Sequence, residues 1–199
     1  MHSENELGYQ TRSDGFGILY GEIAGALIER CGRNGMGIVR KAVAAYGKKK
    51  GKRLREQYMG SGVRTDLHNL MAAEDGCWKD PRTLKTTVRD TPEAQLWEIY
   101  SCPLEKNWRD RGREEAGRLY CEEYLHALMD GYGEGAGQAN VSNSKTCRRD
   151  DRCVMAMYCR TANQNETQKG TGDGNGIIRE IPVEESTLLL YRCFIEVMK

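Results

Sequence analysis

With 199 residues, 39% of them apolar and 30% charged, the chain is long enough to bury a core without metal or disulfide staples, and it is not an acidic disordered chain. The 30 basic and 29 acidic residues leave a net charge of +1, so no global field draws the protein to nucleic acid or to a membrane surface. No apolar run approaches the roughly 18 residues of a membrane span, and Met1 to Asp14 lacks the basic start and apolar core of a secretory signal.

These features predict one cytoplasmic domain with no membrane partner and no nucleic-acid partner. In that compartment the eight cysteines are candidates for reduced thiols, a metal site or catalysis.

Residues 1–16 read as a flexible N-terminus and residues 17–80 as a helical part. From Gly17 to Arg30, the positions Leu19, Ile23, Ala26 and Leu27 follow helical spacing, and Met36 to Leu54 repeats it after a turn through Cys31 to Gly35. Asp66 to Asp75 predicts a third, short helix ended by Gly76 and Pro81.

Residues 81–160 carry the sheet. Thr83 to Arg89 is rich in β-branched residues, and from Leu96 to Cys102 the residues Leu96, Glu98, Tyr100 and Cys102 share a face opposite Trp97 and Ile99. Joined through Asp90, Thr91 and Pro92, the two segments predict a hairpin. Pro103 ends the second strand. Leu104 to Gly112 predicts a short helix, and Gly117 to Asp130 a longer one with Cys121, Tyr124, Leu125 and Leu128 along one stripe.

A second hairpin is expected from Gln138 to Cys147 and Arg152 to Arg160, around a polar tip at Arg148 to Asp151. Its second arm is apolar on both faces, as a central strand would be. Thr161 to Asn175 reads as a mobile surface loop, and Ser186 to Val197 as a final strand or helix. The order predicts an α+β fold: an antiparallel sheet built from two hairpins, helices packed on one side, and an N-terminal helical segment.

Lys48, Lys49, Lys50, Lys52, Arg53 and Arg55 form a basic run with no aromatic residue among them. That composition fits a solvated helix end better than a nucleic-acid surface. The glycines from Gly170 to Gly176 follow no clear strand and open no helix, so they do not make a phosphate-binding loop.

The stretch from Tyr100 to Arg160 is the most informative. It runs through Ser101, Cys102 and Pro103, then Trp108 and Gly112, then Gly117, Arg118, Leu119, Tyr120 and Cys121, then the Gly131-Tyr132 turn and a hairpin bearing Cys153. In order and spacing, Gly17 to Arg160 resembles the L-2-amino-thiazoline-4-carboxylic acid hydrolase family. The resemblance implies a hydrolase that opens a small cyclic amidine or related heterocycle at a carbon–nitrogen bond. Where family members carry an aspartate shortly after the Tyr-Cys pair, this chain has Glu122, Glu123 and Tyr124, with His126 beyond.

Opening such a ring needs attack at a carbon flanked by nitrogen and sulfur, together with a proton for the leaving heteroatom. Cys102 is the candidate nucleophile, because a thiol at a strand end that faces the next helix's N-terminus has its pKa lowered; the alternative is a small buried residue ending the strand. Glu122 and His126 lie i and i+4 on one helix face with Glu123 nearby, so they are either a proton-transfer set or a solvated surface.

Cys121, Cys147 and Cys153 resemble the zinc ligands of the related 4-vinyl-reductase domain, with Ser144 where that domain has a glutamate. Zinc at these three cysteines and reduced, metal-free core thiols are both open readings. Beside the enzyme stands a second function class, a module that binds or senses a small aromatic or heterocyclic compound; a third is a partner subunit without chemistry. A homodimer is expected only because symmetric pairs are common.

Overall fold

The computed structural model describes residues 4–61, 65–73, 77–142, 151–164 and 181–199. Helix α1 (Glu4–Cys31) begins well before Gly17, within the segment expected to be a flexible start. The reason is tertiary. Phe16 is buried, and the Arg82 guanidinium donates to both Asp14 carboxylate oxygens at 2.9 and 3.1 Å and to the Gln10 carbonyl at 3.2 Å, so a polar segment gains partners distant in sequence.

Helix α1 ends at Gly32, whose φ of +56° is the left-handed conformation that closes a helix. Helix α2 (Arg33–Ser61) then runs past Leu54, because Tyr58 is also buried and donates its hydroxyl to the Asn69 carbonyl at 2.5 Å. Helix α3 (Leu67–Ala73) falls inside the predicted short helix, and the Asp66 carboxylate accepts the Asn69 amide at 3.0 Å as an N-cap.

Strands β1 (Leu84–Asp90) and β2 (Ala94–Ser101) form the first hairpin, and β3 (Gly137–Ser142) and β4 (Cys153–Cys159) the second. Between the hairpins lie α4 (Pro103–Asp110) and α5 (Glu114–Gly133). The terminal element is a helix, α6 (Val183–Met198).

The sheet order is β1-β2-β4-β3, antiparallel throughout, and the fold is α+β as expected. Pairing of Trp97 with Met155 and Ile99 with Cys153 places the apolar second arm in the interior of the sheet. Trp97, Ile99, Cys153 and Met157 are buried beneath the helices, whereas Leu96, Glu98, Tyr100, Val154 and Tyr158 on the opposite face are only half-buried. Cys147, most of the tip from Arg148, the glycines from Gly170 and most of the expected loop lie outside the described residues.

Helices α2 and α5 pack closely. A Cβ on Gly51 would sit 2.2 Å from the Leu128 carbonyl oxygen, so only glycine permits this approach of the two backbones. Among the described residues no helix is long and apolar enough to cross a membrane.

Candidate functional site

Pro103 cannot extend β2 but suits the first position of a helix, which makes Cys102 the N-cap residue of α4. Its backbone is extended, with φ −134° and ψ 117°, and its carbonyl accepts the Lys106 amide at 3.0 Å. Its half-buried side chain lines a cavity of about 70 Å³. A single water needs about 10–15 Å³ by the same measure, so the cavity has room for a small organic ligand or several waters.

The walls are aromatic. Tyr46, Tyr120 and Tyr124 form a continuous stack, with ring centroids 5.4 Å apart between Tyr46 and Tyr124 and 4.9 Å between Tyr120 and Tyr124. Phe16 packs edge-on against Tyr120 at 5.8 Å, and Trp108 lies 5.5 Å from the same ring. From the sheet side Trp78 packs on Trp97 at 5.3 Å and, with Met155, completes the apolar lining.

The polar groups that reach this space come from five parts of the fold. Lys50 on α2 is 2% exposed, with its ammonium 5.8 and 6.0 Å from the Tyr124 and Tyr46 ring centroids, a cation–π arrangement. Arg12 and Ser13 come from α1, Cys102 from the α4 cap, Cys121 from α5 and Ser186 from α6. Ser13 donates to the Asp80 carboxylate; burial opposes the charge on Asp80, but hydrogen bonds from Arg82 and Ser13 outweigh it and hold the carboxyl below its ordinary range. Among the described lining residues there is no aspartate, glutamate or histidine.

Cys102 and Cys121 are therefore brought to one cavity, whereas Glu122, Glu123 and His126 are not among its lining residues. Arg40 on α2 bonds to both glutamates, reaching Glu122 at 2.5 Å, and Arg118 holds the other Glu122 oxygen. These carboxylates join α2 to α5. His126 is exposed, its Nδ1 3.5 Å from the Ala139 carbonyl oxygen.

Of the three cysteines weighed as metal ligands, Cys121 lines the cavity, Cys153 is buried on β4, and Cys147 lies outside the described residues. Among the described residues no group of three or more His, Cys, Asp or Glu is placed to hold a metal ion. Burial pushes the thiols of Cys159 and Cys193 up, so these two stay protonated at neutral pH.

The family model for L-2-amino-thiazoline-4-carboxylic acid hydrolase matches residues 16–155, more than two thirds of the chain. The chain belongs to this family. Comparison with curated proteins and with solved structures gave no match. The family segment contains Lys50, Cys102, Trp108 and Cys121, while Arg12, Ser13, Val183 and Ser186 line the same cavity from outside it.

In the sequence Lys50 stands as one charge of a basic run, and only its helical register sets it apart. Val39, Val43, Tyr46, Lys50 and Leu54 are all buried, and their helical spacing places Lys50 on the inward stripe of α2. Its neighbours in the basic run are committed elsewhere: Lys48 to Asp130 at 2.8 Å, Lys49 to Glu196 at 2.6 Å, Arg53 to Glu185 at 2.5 Å and Arg55 to Glu134 at 3.3 Å. Lys48 and Arg55 tie α2 to α5 and the residue that follows it, and Lys49 and Arg53 tie α2 to α6.

Proposed function

We propose that this protein is a hydrolase that opens a small anionic heterocycle, a cyclic amidine of the aminothiazoline-carboxylate type, at a ring carbon–nitrogen bond. The observation that carries the reading is the cavity wall: two thiols and two cations set among aromatic rings, with no carboxylate among the described lining residues. A planar ring stacks on tyrosine faces, and a carboxylate pairs with Lys50 or Arg12. The membership of residues 16–155 in the hydrolase family supports the reaction class.

In this reading Cys102, at the N-cap of α4 and on the cavity wall, is the nucleophile, attacking as the thiolate. The thiolate sulfur adds to the ring carbon between nitrogen and sulfur. The ring nitrogen takes one proton as the thiolate adds and a second as the carbon–nitrogen bond breaks and it leaves with the electron pair as an amine; Lys50, Cys121 and the lining tyrosines are the titratable wall groups. Water adds to the same carbon, its two protons restore those the wall groups gave to the nitrogen, Cys102 departs as thiolate, and the water oxygen becomes the product carbonyl. One water is consumed, and no oxidant or reductant is needed.

Incubation with a panel of cyclic amidines, hydantoins and thiazolines tests the reaction class. Cys102→Ala should lower turnover by roughly a thousandfold or more, while costing only about 1 kcal/mol of stability at a half-buried thiol. Cys102→Ser should be nearly as inactive, because a serine hydroxyl stays protonated. In a Cys31→Ser background, which removes an exposed thiol, an alkylating reagent should label Cys102 before Cys159 and Cys193, and substrate should slow the labelling. Near-normal turnover in Cys102→Ala would make water the attacking group.

The lack of an aspartate, glutamate or histidine among the described lining residues also favours a second reading, a module that binds a heterocycle without turning it over. Tight binding of panel members by wild type with no product formed would establish that reading instead.

A further inference from the structure

Ser186 lies near the start of α6, is 2% exposed and lines the cavity beside Val183. Its amide donates to the Pro182 carbonyl at 2.9 Å, but its Oγ is buried and has no hydrogen-bond partner among the described residues. The adjacent Thr187 shows the ordinary solution, bonding its Oγ1 back to the Val183 carbonyl at 2.7 Å. A buried hydroxyl left unpaired is unfavourable, and such groups in folded proteins are as a rule matched by water, an ion or a ligand.

Ser186 and Lys50 both line the cavity, and the helices that carry them are tethered to each other. Glu185, the neighbour of Ser186, pairs with Arg53 at 2.5 Å, and Arg53 lies three residues along α2 from Lys50. The Lys49–Glu196 pair at 2.6 Å anchors the far half of α6 to the same stretch of α2. A buried hydroxyl and a buried ammonium that line one cavity from two tethered helices make a donor set suited to a carboxylate.

We infer that Ser186 is a specificity-determining residue whose hydroxyl hydrogen-bonds the carboxylate of the cavity's ligand alongside Lys50, so that α6, outside the family-matched segment, takes part in choosing the substrate. This rests on the reading of the cavity as the substrate site. Selection works through the acid group: a heterocycle without a carboxylate gains nothing from Ser186.

The test compares wild type with Ser186→Ala in two measurements on the full chain. The first is calorimetric binding of 2-amino-thiazoline-4-carboxylate and of 2-amino-thiazoline, which lacks the acid group. The second is thermal unfolding without ligand. Ser186→Ala should weaken binding of the carboxylate probe about tenfold and raise KM more than it lowers kcat, with the acid-free probe bound equally by both proteins. Its ligand-free Tm should equal or exceed that of wild type, since the alanine leaves no unpaired hydroxyl.

Equal binding of the carboxylate probe by both proteins overturns the inference. So does a ligand-free Tm lowered by several degrees, which would reveal a structural partner for the hydroxyl. Failure of wild type to bind the carboxylate probe overturns it too, and leaves the hydrolase reading to the other panel compounds. Binding without turnover sinks the hydrolase reading but leaves the role of Ser186 intact.

Discussion

Trp108 donates its indole N–H to the Gly17 carbonyl over 2.9 Å. The bond ties α4 to α1, and Asn107 adds a second tie through the Asp14 carboxylate at 2.9 Å. Because Cys102 caps the same short helix, this attachment orients the candidate nucleophile from six residues away. The Trp108 ring also fills the space beside Gly117, where an added Cβ would lie 2.2 Å from it.

Gly117→Ala should therefore cost about 1–3 kcal/mol through overpacking against Trp108. Displacing Trp108 should also reshape the cavity and reduce turnover. Trp108→Phe, which loses the indole donor and part of the ring, should cost a similar amount. Denaturant unfolding with an unchanged m-value measures both, and wild-type stability in Gly117→Ala would refute the packing argument.

Asp80 sets a pH dependence. Its carboxyl is held below the ordinary value near 3.8, so its stabilising contribution is complete above that value and is lost as pH falls through the depressed folded value. At neutral pH Asp80→Asn should be less stable than wild type by about 1–3 kcal/mol. The gap should close as pH drops below about 4. A gap that stayed constant across an acid titration would show that charge on Asp80 contributes nothing.

Glu122→Gln and Glu123→Gln should leave turnover within about twofold and cost under about 1 kcal/mol each, because the ion pairs to Arg40 and Arg118 are partly exposed. High salt should shrink even that difference. If either variant lost turnover while keeping its fold, the carboxylate would have to reach the reacting atoms, as the helix spacing alone suggested.

Much of the architecture was legible because the signals are local. Trp97 and Ile99 alternate with Leu96 and Glu98, and that alternation decides which face of β2 the helices cover. The spacing of Cys121, Tyr124, Leu125 and Leu128 decides which side of α5 turns inward. Pro103 places Cys102 at a strand end and helix start, since proline can neither extend the ladder nor sit deeper in the helix. Each inference needs only a few consecutive residues and a backbone period.

What tertiary structure decided involves partners far apart in the chain. Phe16 and Asp14 hold the start of α1 in helical form through contacts with residues up to Tyr120. Lys50 reads as one charge in a basic run, yet the packing of α2 on α5 places it over the Tyr124 ring. Glu122 and Glu123 read as an acid pair until Arg40, more than 80 residues earlier, binds both. Ser186 is an ordinary helix serine until α6 docks and buries its hydroxyl at the cavity. Local periodicity fixes which way a side chain points along its own element, but its partners and its access to solvent depend on how the elements meet.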